Sequence, residues 1–249
     1  MDCNISNKGS NLTRIILKNS IIPDSRIIIS EENLHYLIKV HRHKTGDNIF
    51  VQDKTGAVFE SLITSASKKN ATIEILKQHS VAPPPLDVSI ITAVPKGNIL
   101  DNIIRNLSEL GVNRIIPAIC TRSVTETKPN RLERWRRIAF ESMRQCIRSR
   151  PLLIDNPIYL EDAFKNSSSE VKILLHPYSS NTIGQFLTKR TNKTVTVAIG
   201  PEGGFTDREL KLAKKHQFIP LKSGSFILKI ETAILTAAIA GIAHIKGFD

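Results

Sequence analysis

Apolar positions in the first part of the chain fall in short runs rather than at helical spacing. Residues 14–17 and 27–29 are brief apolar runs, while residues 48–51, 57–63 and 71–76 show partial alternation of apolar and polar side chains. Turn-forming stretches, Asp53 to Gly56 and Lys68 to Asn70, separate the last three. This pattern predicts a meander or small barrel. One short helix is expected to interrupt the strands, with Ser30 as its N-cap and Asn33 at the reciprocal capping position.

The pattern changes after residue 79. Pro83, Pro84 and Pro85 stand in a row, which ends strand pairing and predicts a stiff extended spacer over residues 80–85. Beyond it, strands are expected over 86–94, 114–119, 171–175 and 194–199, with a short one near Ile219. Between them fall segments of helical period: 98–110 with Gly111 as C-terminal cap, 131–148, 182–189, 206–216, and a last helix from Glu231. Such alternation implies an α/β domain whose parallel sheet is covered by helices on both faces. The expected organisation is a β domain over 1–79, the proline linker, and an α/β domain over 86–249.

Charge alters this picture of an ordinary globular chain. Against 23 Asp and Glu stand 35 Lys and Arg, a formal net charge of +12. A surplus of that size favours a polyanionic partner, because neutralising phosphates releases counterions. Part of the surplus is concentrated between residues 131 and 150, where seven arginines face only Glu133 and Glu141. Leu132, Trp135, Ile138, Ala139, Met143, Cys146 and Ile147 form the apolar stripe of that segment, so the arginines occupy its other faces. They are either a solvated basic surface or a nucleic-acid surface, and the overall charge favours the second. The three cysteines, Cys3, Cys120 and Cys146, are widely spaced and match neither a zinc site nor a disulfide framework. No metal is expected. A polar start to the chain and the lack of a long apolar span predict a cytoplasmic protein with no membrane association.

Two segments carry candidate chemistry. The β-branched run over 194–199 ends at Ile199, Gly200, Pro201, Glu202, Gly203 and Gly204, and a helix follows with Thr206 and Glu209 spaced as a capping box. This puts a glycine-rich loop at the carboxyl end of a parallel strand, where open α/β sheets bind ligands. Neither a phosphate-binding P-loop nor a GxGxxG fingerprint is present, and by residues alone the loop is equally a plain strand-to-helix turn. The second segment, Leu221 to Ala233, joins a short strand to a helix that is apolar nearly all round. Glu231 opens that helix, where a carboxylate suits the positive end of the dipole whether or not it serves a site.

Taken together, these segments resemble the bacterial 16S rRNA (uracil-N3)-methyltransferase family of the SPOUT class. The most specific part is Ile199-Gly200-Pro201-Glu202-Gly203-Gly204-Phe205, followed by Ile227-Leu228 and then Glu231-Thr232-Ala233. Glu109-Leu110-Gly111-Val112, Thr121-Arg122-Ser123, and Glu141, Gln145, Arg148 and Pro151 at family spacing support it. His35, Val40, Arg42, Gly46 and Asp47 are similar to the family's PUA-like RNA-binding module.

The resemblance implies a small PUA-like β-barrel followed by a SPOUT domain with a deep trefoil knot. It implies S-adenosyl-L-methionine (AdoMet) held by three loops. The first contains Leu175 and His176; the second contains Ile199, Gly200, Pro201, Glu202 and Gly203. The third contains Leu221, Ser223, Gly224, Ile227 and Leu228, with Thr232 close behind. For the chemistry, positioning and positive charge are expected to dominate, with Arg148, Gln145 and Glu231 the candidate catalytic residues and Glu202 a candidate base. Arg14, Arg42, Lys96, Arg122 and Arg144 are the candidate RNA contacts. The partners implied are 16S rRNA within the 30S subunit and a second copy of the chain in a homodimer. Other readings on the same fold are a SPOUT methyltransferase of another RNA and a non-catalytic RNA-binding or assembly factor. The sequence departs from the family where Phe226 and Lys229 replace arginines and where Asn106 replaces a lysine.

Overall fold

The computed structural model describes residues 13–17, 19–79, 87–123, 129–146, 148, 150–186 and 194–245. Cys3 and the linker over 80–85 therefore lie outside the described residues. Two compact units divide the chain. The first is Met1–Pro83 with Ile147–Arg150, and the second is Pro84–Cys146 with Pro151–Asp249.

The first unit is built on a five-stranded sheet. Its strands are β1 (Arg14–Ile16), β2 (Arg26–Ile29), β3 (Asn48–Gln52), β4 (Val58–Ala66) and β5 (Ala71–His79), in the order β1-β3-β4-β5-β2. β3, β4 and β5 form the expected antiparallel meander, while β1 joins β3 in parallel and β2 pairs with β5. The turn between β3 and β4 is organised by Asp53, which is 3 % exposed. Its carboxylate accepts from the backbone N–H groups of Thr55 (2.8 Å), Ala57 (3.1 Å) and Ile21 (3.2 Å), so one side chain ties the turn to a distant segment.

A helix α1 (Glu31–Leu34) continues directly into a π-helical segment, His35–Val40. Asn33 does not serve the capping role expected of it. Its side-chain amide donates to the Ile16 carbonyl at 3.1 Å and so fastens the helix to the end of β1. The tertiary acceptor orients the side chain, and its Oδ1, which would have accepted from the N-cap N–H, accepts no hydrogen bond among the described residues.

The second unit contains β6 (Val88–Ala93), α2 (Ile99–Glu109), β7 (Arg114–Ile119), α3 (Pro129–Gln145), β8 (Leu153–Ile154), β9 (Ile158–Tyr159) and α4 (Leu160–Lys165). It continues with β10 (Val171–Leu175), α5 (Ile183–Phe186), β11 (Val195–Ile199), α6 (Asp207–Lys215), β12 (Ile219–Leu221) and α7 (Ile230–Ile245). The sheet runs β12-β10-β11-β6-β7-β8, with β9 also on β7, and every pairing in it is parallel.

Both faces of this sheet are buried, which explains why its strands are near-continuous apolar runs. Ile90, Ile115, Ile173, Val197 and Ile199 pack on one side with α2, α3 and α7. Their immediate neighbours Ile91, Ile116, Leu174 and Ala198 pack on the other with α4 and α6. Strand β6 is buried at all six positions.

Sequence periodicity does not predict the elements between residues 153 and 165. Two-residue strands carry no periodicity, and β8 and β9 exist because β7 offers them backbone partners. Helix α3 also ends at Gln145, short of the expected end at residue 148. Arg148 therefore lies outside the helix and clusters with the first unit, where its carbonyl accepts from Gln52 Nε2 at 3.1 Å.

The arginines of α3 are less free than their number suggests. Arg131 donates to the carbonyls of Pro95 and Gly97 and lies over the Trp135 ring, 5.0 Å from its centroid. Arg134 pairs with the buried carboxylate of Asp101 on α2. Arg136 donates to the Ile154 carbonyl and to Asn156. These three bind the helix to its neighbours, which corrects the picture of a uniformly available basic face.

Among the described residues, no helix is long and apolar enough to cross a membrane. Helix α7 is apolar nearly all round because it packs on β11, β6 and α2. Gly241 allows that approach: a Cβ there would lie 3.0 Å from Val88 Cγ1 and 3.6 Å from Val195 Cγ1. Gly241→Val should therefore destabilise the protein by about 1–3 kcal/mol through overpacking. Urea unfolding of the variant beside the parent chain checks this; an unchanged midpoint would contradict the tight α7–β6 contact.

Candidate functional site

Strand β10 lies between β11 and β12, and their ends are in register. Leu175, the last residue of β10, is opposite Ile199 on one side and Leu221 on the other, each the last residue of its strand. Three loops therefore leave the sheet at one level. His176 reinforces the junction, its backbone N–H donating to the Leu221 carbonyl at 2.9 Å.

The loops enclose an open cleft with about 850 Å³ of non-protein space, its mouth included. From the sequence-expected set it gathers Leu175, His176, Ile199, Gly200, Pro201, Glu202, Gly203, Ser223, Ile227 and Leu228, together with Arg122 from the loop after β7. Other expected residues do not line it. Leu221 is buried within β12, Gly224 is exposed on the third loop, and Thr232 is exposed on α7. Glu231 is half-buried in the first turn of α7, between Ile230 and Ala233 in sequence, both of which do line the cleft. Phe205, Pro177 and Tyr178 also line it. Phe205 belongs to the glycine-rich motif although it is not among the residues expected to hold the cofactor. Pro177 and Tyr178 have no distinguishing local signal, because a lone aromatic or proline after a strand carries none.

The glycine-rich loop is shaped by specific neighbours. A Cβ at Gly200 would meet the Phe205 ring at 3.1–3.3 Å, so the backbone here lies against that ring. Gly204 has φ +68°, a left-handed conformation that favours glycine, and its N–H closes a turn onto the Pro201 carbonyl at 2.8 Å. Arg122 Nη1 donates to the Gly203 carbonyl at 2.6 Å, tying the loop after β7 to the rim.

Glu209 holds the same two loops from behind. Thr206 and Glu209 form the expected capping box of α6, with both reciprocal bonds present. The carboxylate also accepts from the Thr121 backbone N–H at 2.9 Å, adjacent to Arg122. Burial acts to raise its pKa, but the hydrogen bonds from Thr206 and Thr121 outweigh it and hold the acid below its ordinary value. Nearby Cys120 is driven the other way: burial, then the Glu209 charge, pushes its thiol up to about 12. It remains a protonated core thiol at neutral pH and is not a nucleophile. His176 is lowered by burial, so it enters the cleft as a neutral imidazole, edge-on to Tyr178 with ring centroids 5.7 Å apart.

The remaining expected residues lie elsewhere. Lys96 and Arg42 are exposed, Arg42 with φ +57°. Arg14 is half-buried and donates to Gln52 Oε1 at 3.4 Å; burial lowers its pKa. The side chains of Arg144 and Gln145 lie outside the described part of the structure. Among the described residues, no group of three His, Cys, Asp or Glu is placed to hold a metal ion.

A cleft at the carboxyl ends of parallel strands, walled by a glycine-rich loop, is where open α/β sheets bind ligands, and the domain it belongs to is an RNA methyltransferase domain. The sequence model of that domain family matches residues 82–241, from the first strand of the α/β sheet well into α7. Ribosomal RNA small subunit methyltransferase E of Synechocystis is 31% identical over 92% of this chain and 76% of its own length. The protein of that name from Buchnera aphidicola is 30% identical, with 94% of each chain covered. Among solved structures, ribosomal RNA small subunit methyltransferase E of Neisseria gonorrhoeae, bound to S-adenosylmethionine, superposes with a TM-score of 0.76 at 26% identity. That match covers 92% of this chain and 96% of that one. The chain belongs to the ribosomal RNA small subunit methyltransferase E family.

Glu209→Gln removes the charge that three donors share and should cost about 1–3 kcal/mol at neutral pH. Because the folded acid is depressed, its contribution is present above the unfolded pKa and is lost as pH falls through the folded value. The stability gap between parent and variant should therefore close below the usual carboxylate range. Denaturation at pH 7 and pH 3 measures it, and a gap that widens in acid would refute the assignment.

Proposed function

We propose that this chain uses S-adenosyl-L-methionine to methylate N3 of a uridine in 16S rRNA of the small ribosomal subunit, acting in the cytoplasm as a homodimer. The observation that carries the reading is the in-register launch of three loops around one cleft, in a chain whose relatives are named for small-subunit rRNA methylation. The finer architectural reading is a PUA-like barrel before a SPOUT domain with a trefoil knot. It is supported by the β3–β5 meander with flanking β1 and β2, and by α7 returning from edge strand β12 to pack on β11 and β6.

The cleft suits the cofactor. Leu175, Ile199, Phe205 and Ile230 supply an apolar floor of the kind an adenine ring needs, and the Gly200–Gly204 rim presents backbone rather than bulk. Leu175, His176, Ile199, Gly200, Pro201, Glu202, Gly203, Ser223, Ile227 and Leu228 would hold it. Leu221 and Gly224 would shape the third loop, and Thr232 the start of α7. When bound, the cofactor supplies an electrophilic methyl group on a sulfonium.

The protein's own part is to orient the uracil ring with N3 in line with that methyl, and to let N3 lose its proton. Glu202 is the carboxylate lining the cleft and the candidate to take that proton. Arg148 and Gln145 position the base, while Glu231 with Thr232 orders the loop entering α7. Arg14, Arg42, Lys96, Arg122 and Arg144 contact the RNA backbone, where positive charge and planar guanidinium donors suit phosphate.

Two outcomes test the reading. Deleting the gene should remove one methylated uridine from 16S rRNA, seen by mass spectrometry, and supplying this chain should restore it. Restoration of growth or assembly without the methyl group would favour a non-catalytic assembly factor instead, and a missing methyl on another RNA would move the substrate. Arg148→Ala should lower kcat by about a hundredfold or more while AdoMet affinity measured by calorimetry stays within about twofold. Unchanged turnover would remove Arg148 from the mechanism.

A further inference from the structure

The mouth of the cleft carries aromatic surface that the hydrophobic core does not use. Tyr178 is 80 % exposed and Phe226 is 83 % exposed, yet both line the cleft. They belong to the loops that follow β10 and β12, neighbouring strands whose ends are in register. Tyr178 is braced edge-on by His176, whose backbone is bonded to the end of β12. Phe226 stands in the run Ile219 to Ile230, which contains Lys222 and Lys229 and no acidic residue. Arg122 adds a further cation at the rim.

We propose that Phe226 and Tyr178 form a stacking surface for the unpaired target base of the RNA, an inference that rests on the methyltransferase reading above. N3 lies on the Watson–Crick edge of uracil, so it is reachable only when the base is unpaired. Such a base exposes its ring faces to water, and aromatic side chains are the groups that cover them. The surroundings suit this occupant: a nucleotide carries a phosphate, Arg122 lines the cleft, and Lys222 and Lys229 lie in the same run of chain as Phe226. Phe226 would thus supply by stacking what an arginine at this position supplies by charge. Both residues are positioning residues, acting on the orientation of the base.

The test uses the full-length chain, AdoMet, and small ribosomal subunits that lack the methyl group. Phe226→Ala and Phe226→Leu should each raise KM for the subunit by about tenfold, with AdoMet affinity and oligomeric state unchanged. Phe226→Trp should keep the parent KM, since it restores a stacking face. Its emission should be quenched when subunits are added, readable because Trp135, the sole native tryptophan, is fully buried. Tyr178→Ala should behave like Phe226→Ala. Parallel weakening of AdoMet binding would overturn the proposal in favour of a cofactor contact. Dissociation in sedimentation would overturn it in favour of a subunit interface. A parent-like KM in the Ala and Leu variants would overturn it outright. Failure of the unaltered chain to bind AdoMet would bring down the methyltransferase reading itself, and this inference with it.

Discussion

The pairing of β10 with β11 and β12 is the constraint on which the site depends. Leu175 is opposite both Ile199 and Leu221, so the chain leaves three neighbouring strands at the same height. Parallel pairing also points all three carboxyl ends the same way, with side-chain packing on both faces to hold the strands in place. A slip of one residue in either pairing would exchange the buried faces of a strand, which a sheet covered on both sides penalises twice. The sheet thus fixes where the three loops of the cleft begin.

Behind the cleft, one carboxylate connects loops that no strand pairing joins. Glu209 caps α6 and accepts from Thr121, while Arg122, the next residue, donates to Gly203. The loop after β7 and the glycine-rich loop after β11 are therefore held by two bonds of opposite polarity. Each is charge-assisted, which shortens and strengthens a hydrogen bond. This arrangement places a cation on the rim through a backbone carbonyl.

Charge in this protein has two uses, and composition does not separate them. On α3, Arg131, Arg134 and Arg136 satisfy carbonyls and a buried aspartate, and so serve packing. In the loop that supplies Phe226 to the cleft, Lys222 and Lys229 lie in a run with no acidic residue. The first group contributes to holding helices together; of the second, Lys229 is exposed to solvent and Lys222 half-exposed. Only the location of each acceptor distinguishes them.

Much of the fold was legible in the sequence, because periodicity records which faces of an element are buried. The meander after residue 48, the apolar strands of the α/β unit, the capping box at Thr206 and Glu209, and the glycine turn before it are all local patterns. The candidate loops were legible too, since glycine at a strand end permits conformations and contacts that other residues resist. Tertiary structure alone decided the rest. It chose the order β12-β10-β11-β6, which joins residues far apart in sequence through backbone bonds that no side-chain pattern encodes. It created β8 and β9, stopped α3 before Arg148, and turned Asn33 from a cap into a tether. It also left Phe226 and Tyr178 exposed at the cleft, although their apolar character alone favours burial. In each case the deciding partner is remote along the chain, and local periodicity carries no information about it.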